Sequence, residues 1–128
     1  MKSLRELVET GALLNCTPHD VNILLPGKEE EEDHVLKASG KIVRAAQTKA
    51  KELAHGVFDT ARWEVPVLPA PQEGVFFVVA LAVSSAMQFH GIRRDDIVIG
   101  GTGPDDNPRR HPVKKFVTGW RKIKFANR

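Results

Sequence analysis

Arg121 stands in the segment Val117 to Phe125. Alternation there sets Val117, Gly119, Arg121, Ile123 and Phe125 on one face of a strand, and Trp120, Lys122 and Lys124 on the other. A guanidinium keeps its charge and is costly to bury alone, so on an apolar face it requires an acid or a bound anion. A bulge at Gly119 that turns it outward, or a structural salt bridge, would serve equally. Arg44 repeats the theme: in Lys41-Ile42-Val43-Arg44 it shares a face with Ile42, four residues after Gly40. Two such arginines on different strands suit a phosphate, whose oxygens match the planar fork. Gly100-Gly101-Thr102-Gly103 offers backbone N–H groups and the Thr102 hydroxyl to an anion. It lacks the Gly-Lys-Ser/Thr ending of a Walker loop and the spacing of G-x-G-x-x-G, so an ordinary turn before Pro104 competes. Phe89 and Trp120 are the aromatics for stacking on a base, against a plain core role.

Catalytic patterns are thinner. Cys16 and His19 suggest a nucleophile and its base, but on an extended segment this spacing points them to opposite faces, with no third group evident. His19, Asp20, His90, His111 and the pairs Asp95-Asp96 and Asp105-Asp106 lack metal-ligand spacing. Asp95-Asp96 after Arg93-Arg94 forms local ion pairs, and His19 reads as a turn residue. The expectation is a binding protein with no catalytic residue, metal or cofactor.

Charge agrees with an anionic partner. The net charge is +3 over 128 residues, yet residues 1–64 hold nine Lys/Arg against eleven Asp/Glu, and residues 65–128 ten against five. From Asn107 to Arg128 there are eight basic residues and no acid, which raises the local potential. The rival to a small anionic ligand is a basic nucleic-acid-binding module, with Phe116 and Trp120 interleaved among the cations. No apolar run reaches the ~20 residues of a membrane span. The start, Met1 to Glu6, has no signal-peptide core, and a single cysteine, Cys16, fits a reducing compartment. The cytoplasm is the expected location.

The elements that must position these residues make one α+β domain of residues 1–128, with an antiparallel or mixed sheet, a few helices and a helical extension over 1–12. Ser3 and Glu6 form a capping-box pattern for a helix from Leu4 to about Thr10, closed by Gly11. Leu13 to Leu25 is extended, interrupted at Thr17-Pro18-His19-Asp20. Glu29 to Asp33 is an exposed loop tip. Lys41 to Ala46 is a strand, and Ala45 to His55 a competing helix closed by Gly56. Val57 to Leu68 is extended, and Pro69 to Gly74 a rigid connection. Val75 to Leu81, apolar on both faces, is a central strand. Ala82 to His90 is a helix, Ile97 to Ile99 a strand, and Val113 to Phe125 the last strand.

Several segments, in order, resemble a known group. Asn15-Cys16-Thr17-Pro18-His19-Asp20-Val21 resembles an opening Asn-Leu-Thr-Pro-His motif of small phage and prophage proteins. Ser39-Gly40-Lys41-Ile42-Val43-Arg44 resembles their Ser-Gly-x-x-x-Arg strand. Pro69-Ala70-Pro71-Gln72-Glu73-Gly74, Arg94-Asp95-Asp96-Ile97 and Gly119-Trp120-Arg121 complete the series. Together they resemble the first family of Thoeris anti-defence proteins, over residues 13–49 and 64–125. The resemblance implies a non-enzymatic viral sponge, working in the host cytoplasm, that sequesters cyclic ADP-ribose isomers made by TIR-domain immune enzymes. Cyclic oligonucleotides such as a cyclic trinucleotide would bind at separate sites. It implies Arg44 and Arg121 as phosphate contacts, Gly40 and Thr102 as contacts in the cyclic-nucleotide site, Phe89 as the stacking aromatic, and a homo-oligomer. Cys16 replaces the family's leucine, Gly103-Pro104-Asp105 lacks an asparagine expected near a purine, and the first helix and the acid run are additions.

Overall fold

The computed structural model describes residues 2–110 and 117–128. Its centre is a four-stranded mixed sheet in the order β1-β6-β7-β10. The strands are β1 (Leu13–Asn15), β6 (Phe76–Val78), β7 (Arg94–Gly100) and β10 (Ile123–Asn127). β1, β6 and β7 run parallel, and β10 is antiparallel to β7. β6 is central, as its unbroken apolar run predicts, because each of its faces meets a separate core. Phe77 points with Val83, Met87, Ile97 and Ile99 into one cluster, and Val78 with Leu7, Leu13, Ile23 and Val98 into the other.

Helix α2 (Leu81–Phe89) covers the first face, with Val83, Ser84, Ala86 and Met87 buried. Ser84 settles its hydroxyl by donating to the Ala126 carbonyl of β10 at 2.6 Å. The second face carries α1 (Leu4–Glu9) and a hairpin of β2 (Val21–Leu25) and β3 (Glu32–Leu36). The first helix forms as its cap pattern predicts: the Ser3 hydroxyl accepts from the Glu6 N–H at 3.2 Å. Leu7 buries and Ala12 accepts from the Phe76 N–H at 2.7 Å, so this segment is built onto the sheet.

Trp120 ties the hairpin to the main sheet. Its N–H donates to Asn22 O at 2.9 Å, and its carbonyl accepts from Leu24 N–H at 2.8 Å. Its indole lies on Gly100, where a Cβ would collide with the ring. Trp120 is therefore a half-buried core aromatic, the plainer of the two roles its sequence allows.

Four expected elements differ. The acid run Glu29 to Asp33 is no free loop tip, since Glu32 and Asp33 belong to β3, paired to Leu25 and Leu24. Arginines from elsewhere compensate it: Arg5 reaches Glu32 at 3.2 Å, and Arg121 holds Glu31. Lys41 to Ala46 lies in no strand, although Val43 donates to Cys16 O and tucks into the core. Nor is Ala45 to His55 helical. Ala46 and Thr48 pair through their backbones with Glu64 and Arg62, and β4 (Glu52–Ala54) forms a hairpin with β5 (Val57–Phe58). Its helical propensity is a weak preference, and pairing with residues 62–64 outweighs it. The last strand is broken: β9 (Val117–Thr118) pairs with β8 (Arg109–Arg110), a turn follows Trp120, and β10 begins at Ile123. Residues 113–116 of that expected strand lie outside the described residues.

Candidate functional site

The Asn-x-Thr-Pro-His segment folds around the buried Asn15 side chain. Its Oδ1 accepts from Thr17 N–H at 3.0 Å and from Thr17 Oγ1 at 2.6 Å. Its Nδ2 donates to the carbonyls of His19 and Leu36, both at 2.9 Å. One amide thus fixes the turn between β1 and β2 and anchors the end of β3. These bonds are internal, so the motif is a structural clip.

The Ser-Gly segment fastens to the same residue. Ser39 donates to Asn15 O twice, from its N–H at 2.9 Å and its hydroxyl at 2.7 Å. The Ser39 hydroxyl then accepts from Lys41 N–H at 3.2 Å. Gly40 between them has φ +84°, a conformation that disfavours any residue with a Cβ. With Val43 held by Cys16 O, the strap 39–44 runs along the free side of β1. Val43 faces in, while Ile42 and Arg44 face out. Arg44 is thus an exposed cation without an ion pair among the described residues, and not the buried guanidinium its alternation suggested.

Between this strap and the connection 67–72 lies a cleft of about 350 Å3. Lys41, Ile42 and Val43 form one wall, Val67 to Ala70 with Gln72 the other, and Leu14, Cys16 and Phe77 the floor. Three segments that carry the sequence resemblance therefore meet in one concavity. Sequence reasoning missed Lys41 and Gln72 as its polar lining, although both stand inside the quoted motifs. Cys16 is 1% exposed, and burial pushes its thiol pKa up against smaller opposing effects from Ser39 and Lys41. A protonated, buried thiol is a poor nucleophile. His19 is exposed and outside the cleft lining, and its carbonyl accepts from Asn15 and Thr17.

The other candidates fall elsewhere. Phe89 is 53% exposed at the end of α2, with its ring edge-on to His90 at 5.0 Å, and the His90 ring bonds Trp63 O at 2.7 Å. Thr102 is exposed in the loop after β7. Arg121 belongs with that loop: its N–H donates to Asp106 O and its Nη1 to Asp105 O. It is not buried on an apolar face but stands exposed at the rim of the groove that Ile123 and Phe125 line, engaged with Glu31, because it precedes β10 and the expected alternation stops at Trp120. The salt-bridge alternative holds. Arg44 and Arg121 share neither a partner nor the cleft. Arg94 and Asp96 form the local ion pair expected of them, at 2.6 Å. Among the described residues no three His, Cys, Asp or Glu side chains converge as a metal would need. His111 lies outside those residues. No described helix is long and apolar enough to cross a membrane.

Protein-family models, curated proteins and solved structures offer no match to this chain.

Proposed function

We propose that this protein is a non-enzymatic sponge for a cyclic nucleotide signal, a cyclic ADP-ribose isomer first of all, held at the cleft beside Arg44. The meeting of the segments around Cys16, Lys41 and Pro69 in one concavity carries this reading. Lys41 and Arg44 answer the phosphates, and the apolar walls take the purine and ribose faces. Arg44 adjoins the wall residue Val43 without lining the cleft itself, whereas Phe89, Thr102 and Arg121 lie away from it, so contacts from those three come from a second copy or serve a second site for a cyclic oligonucleotide such as a trinucleotide. A homo-oligomer fits the exposed apolar side chains of the chain, Val67 on the cleft wall at 86% and Leu53 and Val65 at 63% each. The role follows from the sequence resemblance: sequestration in the host cytoplasm would silence TIR-type antiviral defence.

The test is recovery of ligand. The protein is mixed with a cyclic ADP-ribose isomer, freed of unbound ligand and heated. Intact ligand in the supernatant supports the sponge; a linear product would mean hydrolysis, and no retained ligand would end the proposal.

A nucleic-acid-binding module is the second reading, supported by exposed Lys122, Lys124 and Arg128. It requires affinity for DNA or RNA that falls steeply with salt, and loss of that affinity in Lys122→Gln with Lys124→Gln. The remaining candidates for that reading, Lys114, Lys115 and Phe116, lie outside the described residues.

A further inference from the structure

The face of the sheet that carries α1 is only partly covered. Beyond the helix a groove of about 540 Å3 runs between Leu4 and Leu7 on one side and β10 on the other. That volume lies within the about 300–1,000 Å3 of small-molecule sites. Phe76, Val98 and Ile123 line its floor, and Phe125 closes it, tilted against Phe76 at 6.5 Å between ring centres. Among the described residues, every charged side chain lining the groove is a cation and none is an acid. Two of them are occupied, since Arg121 grips Glu31 and Lys122 stands 3.7 Å from Asp106. Lys2, just before α1, and Lys124, on β10, are exposed and have no carboxylate partner among the described residues. Arg128 adds a further positive charge, its guanidinium 4.5 Å from the centre of the Phe125 ring.

We infer that this groove binds one amphipathic carboxylate, an apolar chain with a single anionic head of the fatty-acid class, at a site separate from the nucleotide cleft. The floor gains by removing chain and groove together from water, and Lys2 and Lys124 complement the head. A polyphosphate or nucleic-acid backbone has no apolar part for the floor, and an uncharged chain leaves the lysines unused. The groove is bounded by α1 at one wall and by Phe125 at the other, which suits a chain rather than a flat partner.

Calorimetric titration of the full chain with dodecanoate and with dodecanol tests this. Saturable one-to-one binding of dodecanoate is expected, with dodecanol weaker by about fivefold, the scale of a lost half-exposed charge pair. Lys2→Glu with Lys124→Glu should abolish that preference while leaving dodecanol binding and the melting temperature unchanged, and Phe125→Ala should weaken both ligands. Absence of saturable binding overturns the assignment, as does equal affinity for the alcohol, or charge-reversed protein that still prefers the acid. Three results would reassign the groove and equally overturn it. One is a wild-type dimer that Phe125→Ala dissociates in sedimentation, which gives the groove to a second copy. Another is binding to phosphatidylglycerol vesicles without binding of dodecanoate. The last is displacement of dodecanoate by cyclic ADP-ribose.

Discussion

Arg121 and Glu31, ninety residues apart in sequence, are joined by a two-pronged ion pair: Nη2 lies 2.6 Å from Oε1, and Nε 2.8 Å from Oε2. A third donor of the same guanidinium, Nη1, bonds Asp105 O at 3.1 Å. The β2–β3 hairpin is thus tied to both the turn before β10 and the loop after β7. Arg121→Ala and Glu31→Gln should each lower the melting temperature by no more than a few degrees, because both partners are partly exposed. The double variant should melt close to the singles, and the gap from wild type should narrow in high salt. Additive losses, or a gap that salt leaves untouched, would show that the two residues act independently.

Arg44 should behave in the opposite way. It faces solvent with no ion pair among the described residues, so Arg44→Ala should leave the melting temperature where it was. Affinity for a cyclic ADP-ribose isomer should fall about tenfold or more, as for a charge that gains a desolvated partner on binding. Calorimetry beside thermal melting reads both quantities, and unchanged affinity removes Arg44 from the site.

Asn15 is the residue whose loss should cost most. Its side chain closes four hydrogen bonds and is 1% exposed. Asn15→Ala leaves buried donors and acceptors unmatched, a loss of about 3 kcal/mol. For a chain of this length that is a drop of about 10 °C in melting temperature. Thr17→Ala removes only the hydroxyl and should cost less. Urea unfolding of the two variants gives the comparison, and equal losses would mean that the amide is not the hub of the turn.

Cys16 gives a prediction with a definite sign. Burial raises its folded pKa, so above the ordinary thiol pKa of about 8.5 the unfolded chain releases a proton that the folded chain keeps. Deprotonation then favours the unfolded state. The contribution is fully present below that pH and is lost as pH rises through the folded value. Stability should therefore decline on the alkaline side in wild type more than in Cys16→Ala, followed by urea midpoints across that range. The native thiol should also resist a disulfide reagent until the chain unfolds.

The sequence by itself determined the elements whose causes are local. Ser3 and Glu6 with Gly11 bound α1, Pro18 breaks the extended run after Asn15, and the unbroken apolar stretch after Gly74 makes β6 the centre of an α+β fold. Each follows from capping, from a restricted φ or from apolar periodicity, which act within a few residues. The motifs that line the cleft were likewise visible as residues. That they meet there was not, because hydrogen bonds from Ser39 and Val43 to Asn15 and Cys16 set Lys41 beside Cys16, and the packing of Leu68 on the same core brings Pro69 alongside.

Only the tertiary structure decided what residues 45–55 and the charged segments became. Ala, Lys and Gln favour a helix by tenths of a kcal/mol per residue, and backbone pairing of Ala46 and Thr48 with Glu64 and Arg62 outweighed that preference. Alternation placed Arg121 among apolar neighbours, but alternation holds only while a strand continues, and this one stops at Trp120 to pair with the hairpin. Five acids in a row gave no sign that Glu32 and Asp33 would be ladder residues, with Arg5 meeting Glu32 and Arg121 meeting the preceding Glu31 from distant parts of the chain. A charge is read locally, but its partner is set by how the whole chain packs.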